Sequence, residues 1–230
     1  MAGHLLGCSC ADCELANMIV TRSESFDEVL LNEMTEEVLD TTRTHPSVTD
    51  LIYCLTKNWM NSKRSTPQEF SRQTKMYFAI GLGLEANMLK RRKENATAGV
   101  YDGISYHADS LDDVMVEFKT TRANPKGYPD AIPLHHLKQI LSYMKPTGFR
   151  KCYYSVLFLI QGELMTWELE FTDQEVEANW EWMRLRKEVW EQADAESQAP
   201  ESYVYNMDWE CKNCDFAMLC QVRNSLKERN

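Results

Sequence analysis

No apolar run in this 230-residue chain approaches the roughly 18 residues that a bilayer-spanning helix needs. The opening residues, Met1-Ala2-Gly3-His4-Leu5-Leu6-Gly7-Cys8, carry neither a basic cluster nor a long apolar stretch, so no secretory leader is expected. Eight cysteines are too few for a disulfide scaffold at this length. Internal repeats and low-complexity tracts are missing too. So is a Gly-Lys-Ser/Thr phosphate loop, which excludes a P-loop motor within the chain. What is present is ordinary globular composition, 43% apolar and 26% charged, in a chain long enough for one large domain or two small ones. An intracellular, cytoplasmic protein is expected.

The net charge of −10 hides an uneven distribution. Residues 1–50 carry a net −8, residues 51–160 a net +7, residues 161–210 a net −11 and residues 211–230 a net +2. A basic middle in an acidic chain is either a local phosphate-binding surface or a solvated helix face, notably at Lys90-Arg91-Arg92-Lys93.

Apolar spacing predicts a helix from Phe26 to Thr42 with Ser25 as candidate cap, and a second from about Ser47 to Asn61. A third is predicted over 67–94, with Pro67 in its first turn and Lys90 to Lys93 in its last. The period then changes. Val100 to Tyr106 and Val114 to Thr120 read as strands joined by a polar turn around Asp109 to Asp113. Helical spacing returns over 133–144, a hairpin is predicted from Tyr153–Ile160 and Leu164–Phe171, and a long helix runs from Asp173, as its cap, to about Ala195. This order implies one mixed α/β domain with helical additions at both ends.

In Val114-Met115-Val116-Glu117-Phe118-Lys119-Thr120 alternate residues face opposite sides, so Val114, Val116 and Phe118 are expected to enter a core while Glu117 and Lys119 share the other face. Most Glu-x-Lys tripeptides are surface ion pairs. Here Asp109 ends the preceding strand eight positions earlier. Two carboxylates at adjoining strand ends make a hard-oxygen site for Mg²⁺ or Mn²⁺. A lysine beside it can orient a water and stabilise phosphate charge, parts that suit phosphodiester hydrolysis. Glu85, in Gly81-Leu82-Gly83-Leu84-Glu85, sits inside a largely apolar helix. There it either reaches solvent, pairs with a base or ligates a metal. Gln139 and Tyr143 share one helix face at i, i+4, either packing or contacting a phosphate or base.

Taken in order, Gly81-x3-Glu85, Asp109, Glu117-Phe118-Lys119-Thr120-Thr121 and Gln139-x3-Tyr143 resemble the RecB-like branch of the PD-(D/E)XK nucleases. The segment around Ser47 to Cys54 and the triplet Cys211-x2-Cys214-x5-Cys220 resemble that branch's iron–sulfur members, above all the CRISPR-associated exonuclease family of Cas-four type with its stand-alone viral relatives. The resemblance covers about residues 47–221 and leaves 1–46 as an acidic extension before a nuclease domain at 47–230. It implies a PD-(D/E)XK core with a mixed central sheet. Glu85, Asp109, Glu117 and the Phe118 carbonyl would hold the metal, Lys119 would position the attacking water, and Gln139 and Tyr143 would help bind DNA. Cys54, Cys211, Cys214 and Cys220 would hold a 4Fe–4S cluster that clamps the C-terminal tail onto the second helix. It further implies a DNA exonuclease that prefers single strands, or duplex ends, with 5′-to-3′ polarity. A homo-oligomer and CRISPR-adaptation or replication and recombination partners would follow, in a prokaryotic cell or virus-infected host. Many members carry histidine where Glu85 stands, and this departure favours the alternative of a nucleic-acid-binding or adaptor protein without turnover.

Thiolates suit iron–sulfur or zinc, and motif order favours iron–sulfur for the four cysteines. Cys8, Cys10 and Cys13 with His4 form either a small zinc site or a terminus with reactive thiols. Cys152 opens an apolar strand and is expected in the core. His107 is a candidate DNA or metal contact, whereas His135 and His136 read as surface or packing residues. Trp180, Trp182 and Trp190 are expected to pack.

Overall fold

Ser47 starts the first core helix because its side chain accepts from Asp50 N–H while the Asp50 carboxylate accepts from Ser47 N–H, a reciprocal capping box. In the computed structural model, residues 22–29, 32, 44–65, 70–88, 97–111, 114–127, 132–201, 208–212 and 214–227 are described. Helices α1 (Val48–Ile52), α2 (Leu55–Ser62) and α3 (Arg72–Met88) precede strands β1 (Thr97–Tyr101), β2 (Ile104–Ala108), β3 (Ser110–Leu111) and β4 (Val114–Thr121). Helix α4 (Leu134–Thr147), strands β5 (Lys151–Phe158) and β6 (Glu163–Glu170), and helices α5 (Asp173–Glu196), α6 (Asp208–Lys212) and α7 (Ala217–Lys227) follow. No described helix is long and apolar enough to cross a membrane.

The sheet has the order β3-β4-β5-β6. β4 and β5 are parallel, with Glu117 opposite Tyr154 and Lys119 opposite Val156, and the crossover between them carries α4. β3 and β6 pair antiparallel at the edges. Met115, Cys152, Tyr154, Val156 and Phe158 build the main core with Ile140, Tyr143 and Met144 of α4 and Val176, Trp180 and Met183 of α5. Cys152 and the tryptophans Trp180 and Trp190 are buried there, as expected. Trp182 lies between the Lys138 ammonium, 4.4 Å from its ring centroid, and the Arg186 guanidinium at 4.7 Å.

Several local expectations are corrected. The main core lies on the Glu117 face of β4. Val116 and Phe118 enter a smaller cluster with Leu84, Tyr153 and Leu157, and Val114 is 39% exposed. A central strand in a parallel pair is covered on both faces, so alternation does not mark one side as solvent. The predicted strand Val100 to Tyr106 is a hairpin turning at Asp102-Gly103, both with positive φ, the backbone that a tight right-twisted hairpin requires. Thr172, not Asp173, caps α5, because Thr172 and Glu175 form the capping box. Ser25 lies within the helical turn at 24–29, and Ser23 Oγ accepts from Phe26 N–H instead. Most of the predicted 26–42 helix, the Lys90–Lys93 end of the third helix, and His4, Cys8, Cys10 and Cys13 lie outside the described residues.

The second predicted helix breaks at Tyr53-Cys54 for a tertiary reason. The fully buried Arg186 guanidinium donates to the carbonyls of Leu51 and Tyr53, the latter at 2.6 Å, and takes the acceptors that end α1. The Cys54 N–H donates to Glu210 Oε1 at 3.0 Å. The two carbonyls and the N–H at the break are thereby satisfied.

Candidate active site

β4 carries the candidate pair, and its central position holds Glu117 and Lys119 two residues apart on the main-core face. Asp109, just after β2, is tied alongside. Its carbonyl accepts from Val116 N–H at 3.1 Å and its carboxylate from Phe118 N–H at 3.4 Å. Asp109 is 8% exposed and Glu117 1%. Lys119 forms an ion pair with Glu117. Burial works to lower the Lys119 ammonium's pKa, but the Glu117 charge and hydrogen bond, with Asp109, outweigh it and shift the group upward.

Lys119, Tyr143 and Cys152 each feel the charges of both Asp109 and Glu117, so the two carboxylates share one neighbourhood. The Tyr143 hydroxyl is pushed far up by burial first and then by Glu117, while Gln139 Nε2 donates to it at 3.0 Å. The Cys152 thiol is pushed up to about 12 by burial and Glu117. The i, i+4 pair on α4 thus stands beside the Asp109 and Glu117 carboxylates.

Glu85 is positioned by the direction of α3, which runs opposite to β4. The Tyr77 ring lies 4.3 Å from the Arg122 guanidinium, and a methyl on Gly81 would touch Thr120 Oγ1 at 3.6 Å. Leu84 then packs on Val116 and Phe118. One residue further, Glu85 comes level with the Asp109–Glu117 end of the strand, with its Oε1 buried, on a helix that covers the other face. Among the described residues, no three His, Cys, Asp or Glu side chains stand together as a ready metal-ion site. The donor chemistry of the Asp109 and Glu117 carboxylates fits a hard divalent cation such as Mg²⁺ or Mn²⁺.

Three residues border Lys119 without a motif to announce them, Tyr53, His135 and His136, and a fourth, Glu210, borders two of these. Tyr53 has its hydroxyl raised by burial, against the Lys119 charge, and stacks with His135 at 5.8 Å and edge-on with Trp209 at 6.0 Å. His135 is lowered by burial and by Lys119. His136 is lowered to about 3 by burial, Lys119 and His135, and its Nδ1 lies 2.6 Å from the Tyr154 hydroxyl. Glu210 is buried, and its charge acts on both Tyr53 and His135. The one available sequence signal is adjacency, since Tyr53 and Glu210 immediately precede Cys54 and Cys211. His107 is exposed on β2.

Cys54 is buried at the α1–α2 break, and its thiol is raised by burial first and then by Glu210, Cys214 and Cys220. Cys214 and Cys220 are therefore within electrostatic reach of Cys54, although 157 or more residues separate any of the final three cysteines from it. Cys211 is exposed, three residues ahead, and Cys214 N–H donates to its carbonyl at 3.4 Å. Arg64 pins this turn to α2 through Asp215 at 2.7 Å and the Phe216 ring at 4.8 Å. None of the five described cysteines is in a disulfide. Thiolates as a donor type suit a soft metal group.

No protein-family model and no curated protein matches the chain. Solved structures do. The crystal structure of SSO0001 aligns with a TM-score of 0.55 at 22% identity, over 85% of this chain and 96% of that one. An alkaline exonuclease, LHK-Exo from Laribacter hongkongensis, aligns with a TM-score of 0.35 at 14% identity, over 72% and 99% of the two chains. LHK-Exo in complex with dAMP gives 0.34 at 15%, over 73% and 93%. What the chain shares with SSO0001 is its fold, a small mixed sheet flanked by helices.

Proposed function

We propose that this protein is a metal-dependent DNA nuclease of the PD-(D/E)XK type, an exonuclease on single strands with 5′-to-3′ polarity, and that a 4Fe–4S cluster braces it. The observation that carries the reading is the buried Asp109 and Glu117 with half-buried Lys119, beside Gln139 and Tyr143, in the order of the resembled motifs. Asp109 and Glu117 with the Phe118 carbonyl would hold Mg²⁺ or Mn²⁺, and Glu85, on the helix over the opposite face of β4, would join them only by reaching past the strand. When bound, the cation polarises the phosphate and makes water acidic.

The remaining work falls to the chain's own groups. Lys119 stays charged through neutral pH, held against Glu117, and offers a cation to a phosphate or an incoming water. Tyr143 stays protonated and hydrogen-bonded to Gln139, a fixed donor beside the carboxylates. Cys54, Cys211, Cys214 and Cys220 would hold the cluster, and Glu210 and Trp209 link that corner to Tyr53 next to Lys119.

The test is cleavage of end-labelled single-stranded DNA with Mn²⁺ by anaerobically purified protein. Wild type is expected to release nucleotides from one end, with Asp109→Ala and Lys119→Ala at least a hundredfold slower. Cleavage by both variants at the wild-type rate would refute the proposal. The position of Glu85 on the helix covering the opposite face of β4 favours a second reading, a DNA-binding protein without turnover. That reading requires salt-sensitive DNA binding with no metal-dependent cleavage.

A further inference from the structure

Beyond the catalytic end of β4 the strand runs into a cavity of about 340 Å³, lined by Tyr77, Thr120, Thr121, Arg122, Ala123 and Leu159. This volume is at the small end of ligand pockets, room for one nucleotide rather than a stretch of duplex. Its groups are of two kinds. Arg122 brings a permanent positive charge and the threonines bring hydroxyls, both suited to phosphate oxygens. Tyr77 brings a ring whose position is fixed from two sides: Gln73 Nε2 donates to its hydroxyl at 2.7 Å, and Arg122 both donates to that hydroxyl and stacks at 4.3 Å from the ring centroid. One guanidinium N–H is spent on Tyr77, leaving the rest of the planar fork for an anion.

The floor is rigid. Leu159 N–H donates to the Thr121 carbonyl at 2.9 Å, and Ala123 N–H donates to Thr121 Oγ1 at 3.1 Å. Arg122 follows Lys119 by three residues, about 10 Å along an extended strand. The opposed course of α3 keeps Tyr77 level with Arg122, two helical turns before Glu85. Lys119 points to the main-core face of β4 and the cavity lies on the α3 face, so a DNA strand with one phosphate at Lys119 would reach it by passing around the end of β4.

We propose that the Tyr77–Arg122 cavity is a nucleotide subsite, in which Arg122 with Thr120 and Thr121 binds an internal phosphodiester of single-stranded DNA and Tyr77 stacks on the attached base. This rests on the nuclease reading and extends it by naming where the flanking nucleotide sits. Loss of a single phosphate contact has a distinctive signature, because each contact to a single strand adds about 0.7 to the slope of log affinity against log salt. Loss of a stacking ring weakens binding by about 5- to 100-fold and leaves that slope alone.

The experiment is fluorescence anisotropy with the full chain and labelled oligothymidylates, with no divalent cation added, across a salt series. Arg122→Gln is expected to lower the salt slope by about 0.7, whereas Tyr77→Leu weakens binding with the slope unchanged. In Mn²⁺, Arg122→Gln should raise KM with kcat retained. A wild-type slope in Arg122→Gln, with wild type both binding and cutting DNA, would overturn the subsite and leave the nuclease reading standing. No DNA binding by wild type would overturn both. An Arg122 effect confined to 5′-phosphorylated oligonucleotides would overturn the assignment to an internal phosphodiester. Arg122→Lys, which keeps the charge and loses the fork, should restore the slope but not the full affinity.

Discussion

Replacing Lys119 with methionine removes the ammonium and keeps most of the packed stem, which isolates the charge. Glu117, at 1% exposure, is left without its cation and next to the Asp109 carboxylate. Breaking a buried pair from one side costs about 3–5 kcal/mol. Because the Lys119 side chain is 28% exposed, the low end, about 3 kcal/mol, applies here. For a chain of this length that corresponds to a fall of about 6–12 °C in melting temperature.

The sign with pH follows. The folded-state pKa of Lys119 is raised above 10.5, so its stabilisation is fully present at pH 8 and is lost only as pH climbs through the folded value. In Lys119→Met the deficit should shrink as pH falls from 8 toward 5.5, because the stranded Glu117 takes up a proton. Adding Glu117→Leu removes the isolated charge and should recover most of the loss. Mn²⁺ should stabilise Lys119→Met more than wild type, the cation replacing the missing counter-charge. The assay is thermal unfolding by circular dichroism at two pH values. A Lys119→Met melt within about 2 °C of wild type, or a double variant no more stable than the single one, would refute the reasoning.

Anaerobically purified wild type should be brown with broad visible absorption, and Cys54→Ser and Cys214→Ser should lose both colour and iron; a colourless protein with stoichiometric zinc would reject the cluster. His136, neutral in the folded state down to about pH 3, makes the unfolded chain the better proton binder below 6.5. Stability in urea should therefore fall as pH drops below 6.5, and His136→Gln should show a shallower fall between pH 6.5 and 4.5. Gly103 has φ +71, and a Cβ there would approach Lys187 Cε to 2.8 Å, so Gly103→Ala should cost about 1–2 kcal/mol in denaturant unfolding, chiefly from the left-handed backbone. No loss in that variant would count against the tight turn at Asp102-Gly103.

The placement of the candidate residues relative to one another was more legible than the architecture around them. Glu117 and Lys119 share a face because strand geometry leaves no other choice at a spacing of two, and Gln139 meets Tyr143 because a helix turns once in about four residues. The core-bearing face of β4 was hidden, since a central strand packs on both sides. The break at Tyr53-Cys54 was illegible locally, because it depends on Arg186 and Glu210, more than 130 residues away. The Asp102-Gly103 turn was readable in principle, yet it lies inside a run of strand-forming residues from Val100 to Tyr106. Thr172 and Asp173 are both cap formers, and only Glu175, three residues after Thr172, decides between them. His135 and His136 acquired their place beside Lys119 from the crossover helix, which composition does not reveal.

The parallel pairing of β4 with β5 also governs timing. On a ribosome, Asp109, Glu117 and Lys119 emerge before their strand has its central partner, which waits for α4 and the residues to Phe158. Tyr53 gains the Glu210 neighbour later still, once α6 (Asp208–Lys212) has docked. A nascent chain thus holds Asp109, Glu117 and Lys119 on a completed sheet only after Phe158 has emerged, and Tyr53 beside Glu210 only after about fifty further residues.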